Sequence, residues 1–257
     1  MSIEEEISKC GRIHDVLAEH WNWAYYDTEH GECSWLLAEY VSRLKEDVEN
    51  RVPVILNELE ELVEEHTGNS YHILDVGCGV GGFIQNSLKI LEKKHPDIEF
   101  KATGIDISSE MIEYARVNLQ DTGAELICET ITNRQLKFEN EPFDVAIMMV
   151  NLSFYNDENA KDVLRSILSR LKEGGYLLVL DFAWTYIWSG FKLFSKPLQS
   201  LTDTFFSHLI GESFNFSNRT EEELNDLITG MGYTVVKSYL SEKKSKMKGM
   251  LVIRAQK

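Results

Sequence analysis

The stretch ILDVGCGVGG, residues 73–82, runs from a short apolar strand into a glycine-rich turn that opens a helix. Glycines suit this turn because its backbone needs dihedral angles closed to other residues and must let a ligand approach the main chain. Gly77, Gly79 and Gly82 fit the G-x-G-x-x-G spacing, in which the N-terminus of a helix holds the pyrophosphate of a dinucleotide. Taken alone, the stretch predicts a ligand-binding turn and leaves the ligand open.

Three features of the surrounding sequence argue against a dinucleotide. Asp75 lies two residues before the first glycine, where a carboxylate suits an ammonium group better than a pyrophosphate. Helical segments precede the motif, whereas a dinucleotide-binding domain usually begins with this strand. The chain also closes with two strands so near in sequence that only a hairpin joins them, which is atypical of a dinucleotide fold.

Outward from the motif, short apolar segments alternate with amphipathic ones, which implies parallel strands joined by right-handed crossovers, with helices on both faces. Predicted strands cover residues 72–76, 101–105, 126–130, 145–150 and 176–180, and predicted helices cover 82–94, 109–120 and 157–172. Thr220 with Glu223 predicts a capped helix before hairpin strands at 233–240 and 250–255, which a basic turn at 242–248 joins. The prediction is an α/β fold with a doubly wound, mostly parallel, seven-stranded sheet and a C-terminal antiparallel hairpin.

The N-terminal region differs from the rest of the chain. Apolar residues recur at three- and four-residue spacing over 3–19, 34–50 and 53–66, which predicts three amphipathic helices. Pro53 suits the first turn of the third of these helices. We therefore expect an N-terminal helical cap over residues 1–70 and a sheet domain over residues 71–257.

The composition argues against several classes of partner. Lys and Arg total 26 against 42 Asp and Glu, and the net charge of −16 opposes the attraction that drives non-specific binding to nucleic acid. Four scattered cysteines without a C-x-x-C pair predict neither a metal site nor a disulfide framework. No segment approaches the roughly 18 apolar residues of a membrane span, and the charged N-terminus does not resemble a signal peptide. We expect a cytoplasmic protein without nucleic-acid or integral membrane contact.

Five stretches together carry a family resemblance. The acid and glycines of the first are Asp75, Gly77, Gly79 and Gly81, and the others are GIDIS at 104–108, MIEYA at 111–115, PFD at 142–144 and LKEGG at 171–175. In this combination the sequence resembles the class I, Rossmann-like, S-adenosylmethionine-dependent methyltransferases, from about residue 71 to the C-terminus. The resemblance implies S-adenosylmethionine as the cofactor and methyl transfer as the reaction.

The resemblance also implies roles for individual residues. Asp106 is expected to accept hydrogen bonds from both ribose hydroxyls, and Ile107 to lie against the adenine. Asn151, at the end of the fourth strand, is expected to face the same ligand. The family usually has an acid at the adenine amino group, where this sequence has Thr132, so that a hydroxyl or the main chain would replace the carboxylate.

The glycines and acids of the motif have simpler interpretations beside the functional ones. Gly77, Gly79 and Gly81 are expected to let the loop approach the ligand. Asp75 is alternatively a cap of the turn, and Asp106 the N-cap of the helix that follows, although a serine two residues later suits that role. Asn151 is alternatively an ordinary loop residue.

Two aromatic-rich segments are candidates for the acceptor side. They are HWNWAYYD at 20–27, with Trp21, Trp23 and Tyr26, and the segment 182–216, with Trp184 and Trp188. Aromatic side chains at this density either pack a local core or line an apolar pocket. The region after the fifth strand loosely resembles methyltransferases of quinones and other lipid-like molecules. We therefore expect 182–216 to be a lid over an apolar or aromatic small-molecule acceptor.

A general base is needed only if the acceptor must lose a proton. His20, Tyr25 and His208 are the candidates for that base. Three other functions remain open from the sequence: another transferase that uses the same cofactor, an NAD-dependent oxidoreductase, and a non-catalytic scaffold of the same fold.

Overall fold

The computed structural model describes residues 3–26, 35–140, 142–182, 217, 219–241 and 250–257. Its helices are α1 (Ile3–Tyr26), α2 (Trp35–Glu64), α3 (Gly82–Lys94), α4 (Ser109–Asn118), α5 (Asp157–Arg170) and α6 (Glu221–Thr229). Its strands are β1 (Ser70–Val76), β2 (Glu99–Asp106), β3 (Glu125–Cys128), β4 (Phe143–Met149), β5 (Leu171–Phe182), β6 (Thr234–Leu240) and β7 (Met250–Gln256). The predicted lid from residue 183 onward and the basic turn at 242–248 lie outside the described residues.

The described strands form one seven-stranded sheet in the order β3-β2-β1-β4-β5-β7-β6. Strands β1 to β5 run parallel, whereas β7 runs antiparallel to both β5 and β6. The predicted doubly wound sheet with a C-terminal antiparallel hairpin is therefore confirmed. The strand order reverses between β1 and β4, and open α/β sheets bind ligands beyond the carboxyl ends of the strands at such a point.

Helices cover both faces of the sheet. Successive strand residues point to opposite faces. Ile73 packs in a cluster with residues of α2 and α3, whereas Leu74 packs in a cluster with residues of α5 and α6. Central strands covered on both faces are apolar at every position, which is why VAIMM at 145–149 shows no alternation.

Helix α2 is one continuous helix, with Pro53 inside it. The prediction of two helices, with Pro53 in the first turn of the second, is therefore wrong. Proline removes one hydrogen bond inside a helix and normally kinks or breaks it. Here Val48, Ile55 and Leu59, on both sides of the proline, are buried in one cluster against the sheet. Packing of this apolar face overrides the local preference of the sequence.

Helix α1 is fixed to the elements that surround the carboxyl ends of β1 and β2. Asn118 of α4 donates through Nδ2 to Asn22 Oδ1 at 2.8 Å and to the Val80 carbonyl at 2.9 Å. The hydroxyl of Ser108, the N-cap of α4, donates to Asp15 Oδ1 at 2.7 Å. The N-terminal helix is therefore hydrogen-bonded to α4 and its N-cap, and Asn118 of α4 in turn bonds the glycine-rich loop.

Helix α6 begins with the capping box that the sequence predicts. Thr220 Oγ1 accepts a hydrogen bond from the Glu223 N–H at 3.2 Å, and Glu223 Oε2 accepts one from the Thr220 N–H at 2.7 Å. Each side chain satisfies a backbone donor that has no partner within the helix. The local sequence therefore determines where α6 begins.

Arg219, just before α6, holds the loop that follows β4. Its side chain is 8% exposed. The guanidinium donates through Nη1 to the Leu152 carbonyl at 3.1 Å, through Nη2 to the Tyr155 carbonyl at 2.7 Å and through Nε to Asp157 at 2.9 Å. The predicted site residue Asn151 lies in this loop, so Arg219 helps to position it.

We expect Arg219→Met to lower the free energy of unfolding by about 2–4 kcal/mol, because it leaves two carbonyl groups without their donor. Urea unfolding followed by circular dichroism measures the change. Arg165→Met is the matched control, since this guanidinium pairs with Asp162 at the surface and its side chain is 60% exposed. Its loss should change the free energy by less than about 1 kcal/mol. Equal costs in the two variants would contradict the role of Arg219.

Candidate functional site

The predicted cofactor residues lie at the carboxyl ends of adjacent strands. Asp75 is the penultimate residue of β1, Asp106 ends β2, and Asn151 follows the end of β4 by two residues. Strand β1 pairs with β2 on one side and with β4 on the other. The three side chains therefore come together around the start of the glycine-rich loop.

The glycine-rich loop turns sharply at the end of β1. The Gly77 N–H donates to the Ile105 carbonyl at 2.8 Å, which ties the loop to β2. Gly77 has a φ of 79°, in the left-handed region, and a Cβ at this position would collide with Nδ2 of Asn151. Gly79 and Gly81 also have positive φ. A side chain at Gly77 would displace Asn151, so the two predicted residues depend on each other.

Asp75 has a buried carboxylate without a hydrogen-bond partner among the described residues. The residue is 1% exposed. Desolvation, with a smaller effect of the Asp106 charge, raises the pKa of Asp75 to about 7. An ionised carboxylate in such a place requires a cation or a hydrogen-bond donor. The ammonium group of the expected cofactor meets that requirement, whereas a turn cap would be bonded to the main chain.

Asp106 holds the main chain on both sides of the site. Its Oδ2 accepts from the Gly79 N–H and its Oδ1 from the Ser108 N–H, both at 2.9 Å. The N-cap of α4 is Ser108, whose hydroxyl oxygen accepts from the Met111 N–H at 3.1 Å. Asp106 is therefore not the helix cap. Because a carboxylate has about four lone-pair positions, acceptor capacity remains for ligand hydroxyls.

Asn151 follows a strained turn at the end of β4. Its Nδ2 donates to the Val76 carbonyl at the end of β1, and its buried Oδ1 has no partner among the described residues. The preceding Val150 has a φ of 55°, a conformation that β-branched residues rarely adopt. Strain of this kind persists where surrounding structure over-determines it, often at functional sites. No sequence pattern marks Val150.

Ile107 and Thr132 lie on the β2 and β3 side of the crevice. Ile107 follows directly after Asp106, and its carbonyl lies 3.5 Å from the position of a Cβ added to Gly11 of α1. Thr132 lies in the turn after β3, where its Oγ1 is 2.9 Å from Oγ1 of Thr130. The described contacts bring Ile107 beside α1 and bond Thr132 within its own turn.

Helix α1 brings His14 and Asp15 to the same crevice, and sequence reasoning missed both as site residues. Asp15 accepts a hydrogen bond from Ser108, as described above. Burial lowers the pKa of His14, while the charges of Asp106 and Asp15 act in the opposite direction. The signal that marks this face is helical spacing, since Asp15 and Asn22 are seven residues apart, which places them about two turns from each other on one face of α1.

The aromatic residues of α1 pack on the glycine-rich loop. Trp21, Tyr25 and Tyr26 lie against a buried cluster that contains Val80. The Tyr25 ring occupies the space that a Cβ on Gly82 would need. The predicted acceptor residues Trp21 and Tyr26 thus lie beside the loop that is expected to hold the cofactor.

The remaining predicted residues lie on α1 or outside the described ranges. Trp23 packs against His20 on the same helix, with ring centroids 5.2 Å apart. His208, Trp184 and Trp188 lie outside the described residues. Within the described ranges no group of three or more His, Cys, Asp or Glu side chains is placed to hold a metal ion. No helix in the same ranges is both long and apolar enough to cross a membrane.

Comparison with known proteins places this site in a family. Residues 73–175 match the model of a family described as methyltransferase domain. Over 76% of the chain, the fold superimposes on 96% of an S-adenosylmethionine-dependent methyltransferase from Methanosarcina mazei, with a TM-score of 0.56 and 26% sequence identity. Residues 73–175 form a class I, S-adenosylmethionine-dependent methyltransferase domain. The predicted family is confirmed, and S-adenosylmethionine is the cofactor on which this class of domain depends.

Curated relatives match part of the chain. A malonyl-[acyl-carrier protein] O-methyltransferase of Acetivibrio thermocellus is 30% identical over 126 residues, which are 49% of this chain and 41% of the relative. A carboxy-S-adenosyl-L-methionine synthase of a Psychrobacter species is 33% identical over 113 residues, which are 42% of this chain and 39% of the relative. The matched regions therefore span less than half of either relative.

We expect Asp75→Asn to change stability in a pH-dependent way in the ligand-free protein. The pKa of Asp75 is raised from the ordinary 3.8 to about 7. At a pH between these two values, the folded protein keeps the proton on Asp75, whereas the unfolded chain has released it. This stabilisation is complete below about pH 4 and is lost as the pH rises through 7. Asp106, Cys78 and Tyr25 are the titratable groups that interact with this carboxyl.

Because asparagine does not ionise, the melting temperature of the variant relative to the wild type should rise between about pH 4 and pH 7. Affinity for S-adenosylhomocysteine should nevertheless fall, since the amide carries no charge for the ammonium group. Asp121→Asn, at an exposed position, is the control and should show neither effect. A difference in melting temperature that does not vary with pH would argue against a protonated buried Asp75.

Proposed function

We propose that this chain transfers the methyl group of S-adenosylmethionine to an apolar or aromatic small molecule. The observation that carries the proposal is the pair of buried carboxylates on the two sides of the glycine-rich loop. Asp75 has no partner among the described residues and suits an ammonium group, and Asp106 keeps acceptor capacity for ribose hydroxyls. A dinucleotide pyrophosphate on this loop would meet the buried carboxylate of Asp75, which disfavours an NAD-dependent oxidoreductase.

The residues around the crevice suit binding and alignment. When bound, S-adenosylmethionine supplies a methyl group on a positively charged sulfur, and its displacement produces a neutral leaving group. The protein then needs to orient the acceptor and exclude water rather than to donate a proton. Trp21 and Tyr25 cover the loop, and burial raises the pKa of Tyr25 to about 12. Tyr25 therefore keeps its proton near neutral pH and acts as a hydrogen-bond donor rather than as a base.

Charge favours a small acceptor over a nucleic acid. Two further relatives are named for different classes of acceptor. One is a tRNA N(3)-cytidine methyltransferase of Gallus gallus, and the other is a ubiquinone biosynthesis O-methyltransferase of Proteus mirabilis. A net charge of −16 opposes the phosphate contacts that dominate tRNA affinity. We therefore assign the acceptor to the small-molecule class and propose that it is apolar or aromatic.

A second candidate reaction modifies the cofactor itself. Its support is the carboxy-S-adenosyl-L-methionine synthase relative at 33% identity. Both reactions use the same loop and the same ribose carboxylate, so the nucleoside product distinguishes them. S-adenosylhomocysteine accompanies methyl transfer, whereas a carboxylated nucleoside in the mass spectrum would support the second candidate.

The acceptor proposal is tested with methyl-labelled S-adenosylmethionine and a panel of substrates. The panel contains a hydroquinone, a simple phenol, a sterol and unmodified tRNA, each with the full chain. We expect label in an organic-extractable product and none in tRNA. Label in tRNA would overturn the acceptor class and leave the cofactor assignment in place.

We expect Asp106→Ala to weaken binding of S-adenosylhomocysteine by about 10- to 100-fold, since a charge-assisted hydrogen bond contributes about 1.5–3 kcal/mol. Titration calorimetry measures the affinity. Asp121→Ala, an exposed aspartate in the turn after α4, is the matched control and should bind as the wild type does. Unchanged affinity in Asp106→Ala would show that this carboxylate serves only the main-chain bonds to Gly79 and Ser108.

A further inference from the structure

A buried arginine of α2 lies above the aromatic residues that cover the glycine-rich loop. Arg51 is 8% exposed, and its Cζ lies 5.6 Å from the centroid of the Trp21 ring. A guanidinium keeps its charge even when buried, and stacking on an indole face is one of its favourable environments. The positive charge of Arg51 is therefore held inside the same cluster that packs on the loop.

Tyr25 connects this positive charge with Asp75. Its ring lies 6.5 Å from the Trp21 ring, between centroids, and fills the space beside the α-carbon of Gly82. Desolvation is the largest cause of the raised pKa of Tyr25; the Arg51 charge acts to lower that pKa and the Asp75 charge to raise it. The positive charge of Arg51 on α2 and the negative charge of Asp75 on β1 thus both act on the phenol of Tyr25, which lies beside the first turn of α3.

We propose that Arg51 binds the carboxylate at the amino-acid end of the cofactor, while Asp75 binds the ammonium group on the same carbon and Tyr25 donates its hydroxyl between them. The proposal rests on the proposed use of S-adenosylmethionine and deepens it. It assigns a cofactor-binding role to a residue of α2, which lies outside the matched segment 73–175.

Charge balance is the physical reason for such an arginine. The sheet alone presents Asp75 and Asp106 to the ligand, both buried, and two carboxylates would repel the carboxylate of an amino acid. A zwitterion is accommodated when each of its charges meets an opposite one. A guanidinium has five N–H donors in a planar fork that matches the geometry of a carboxylate.

The arrangement predicts selectivity for the intact amino-acid group. Decarboxylated S-adenosylmethionine keeps the adenosine, the sulfonium and the ammonium group and lacks only the carboxylate. Loss of a charge-assisted pair corresponds to about 10- to 100-fold in affinity. Wild-type protein should therefore bind S-adenosylmethionine at least ~10-fold more tightly than its decarboxylated form.

Titration calorimetry of the full chain with these two ligands tests the proposal. In Arg51→Met the ratio of the two affinities should fall to about one, because only the ligand with a carboxylate loses a contact. Arg51→Lys, which keeps the charge without the fork, should give an intermediate ratio and serves if the Met variant does not fold. Asp75→Asn should weaken both ligands together and leave the ratio unchanged.

Arg254→Met is the matched control for removal of a buried arginine. Arg254 is 6% exposed and pairs at 2.8 Å with Glu65, which follows the last residue of α2, whereas Arg51 lies in the middle of that helix. This variant should keep the wild-type ratio, whatever its stability. The ratio also separates a binding role from partial unfolding, since unfolding lowers the competent fraction for both ligands equally.

Two other results would overturn the proposal. Wild-type protein that binds both ligands equally well has no carboxylate contact, although its use of S-adenosylmethionine would stand. Arg51→Met and Arg51→Lys variants that keep the wild-type ratio would place the carboxylate contact elsewhere. Wild-type protein that binds neither ligand would instead refute the proposed function itself, so the two failures are distinguishable.

Discussion

The carboxylate of Asp106 joins the two parts of the site that the chain builds separately. One oxygen accepts the Gly79 N–H of the loop after β1, and the other accepts the Ser108 N–H at the start of α4. Charge-assisted bonds to main-chain donors are among the stronger interactions inside a protein. This one side chain at the end of β2 therefore links the glycine-rich loop to the start of α4, and the hydroxyl of Ser108 in turn bonds α1 through Asp15.

The crevice carries features that reduce stability and suit ligand binding. Asp75 is buried with neither oxygen bonded among the described residues, and Val150 has a left-handed backbone beside Asn151. Unpaired buried carboxyls and strained β-branched residues each destabilise a fold, so surrounding packing must hold them in place. Here that packing comes from two extensive clusters, one on each face of the central strands. The large apolar core therefore supports a polar and strained edge.

The N-terminal helices complete the site rather than merely flank it. Helix α1 is hydrogen-bonded to α4 through the same Asn118 that bonds the glycine-rich loop, and α2 brings a buried guanidinium to the ring of Trp21. The matched family segment contains neither helix. Variation in these helices offers a way to change selectivity while the sheet and its loop stay constant, because loops and appended elements carry specificity on a rigid scaffold.

The sequence by itself determined the order of the strands and helices after residue 70, the glycine-rich turn and the capping box of Thr220, because each depends on a short-range pattern of apolar, glycine or capping residues. It also marked Asp75 and Asp106 through their spacing from that turn. Only the tertiary structure decided that α2 continues through Pro53, that Asp106 bonds the loop, and that Asp15 meets Ser108 across 93 residues of sequence. Such contacts arise from packing between distant segments, and no local pattern encodes which buried charge will face which partner.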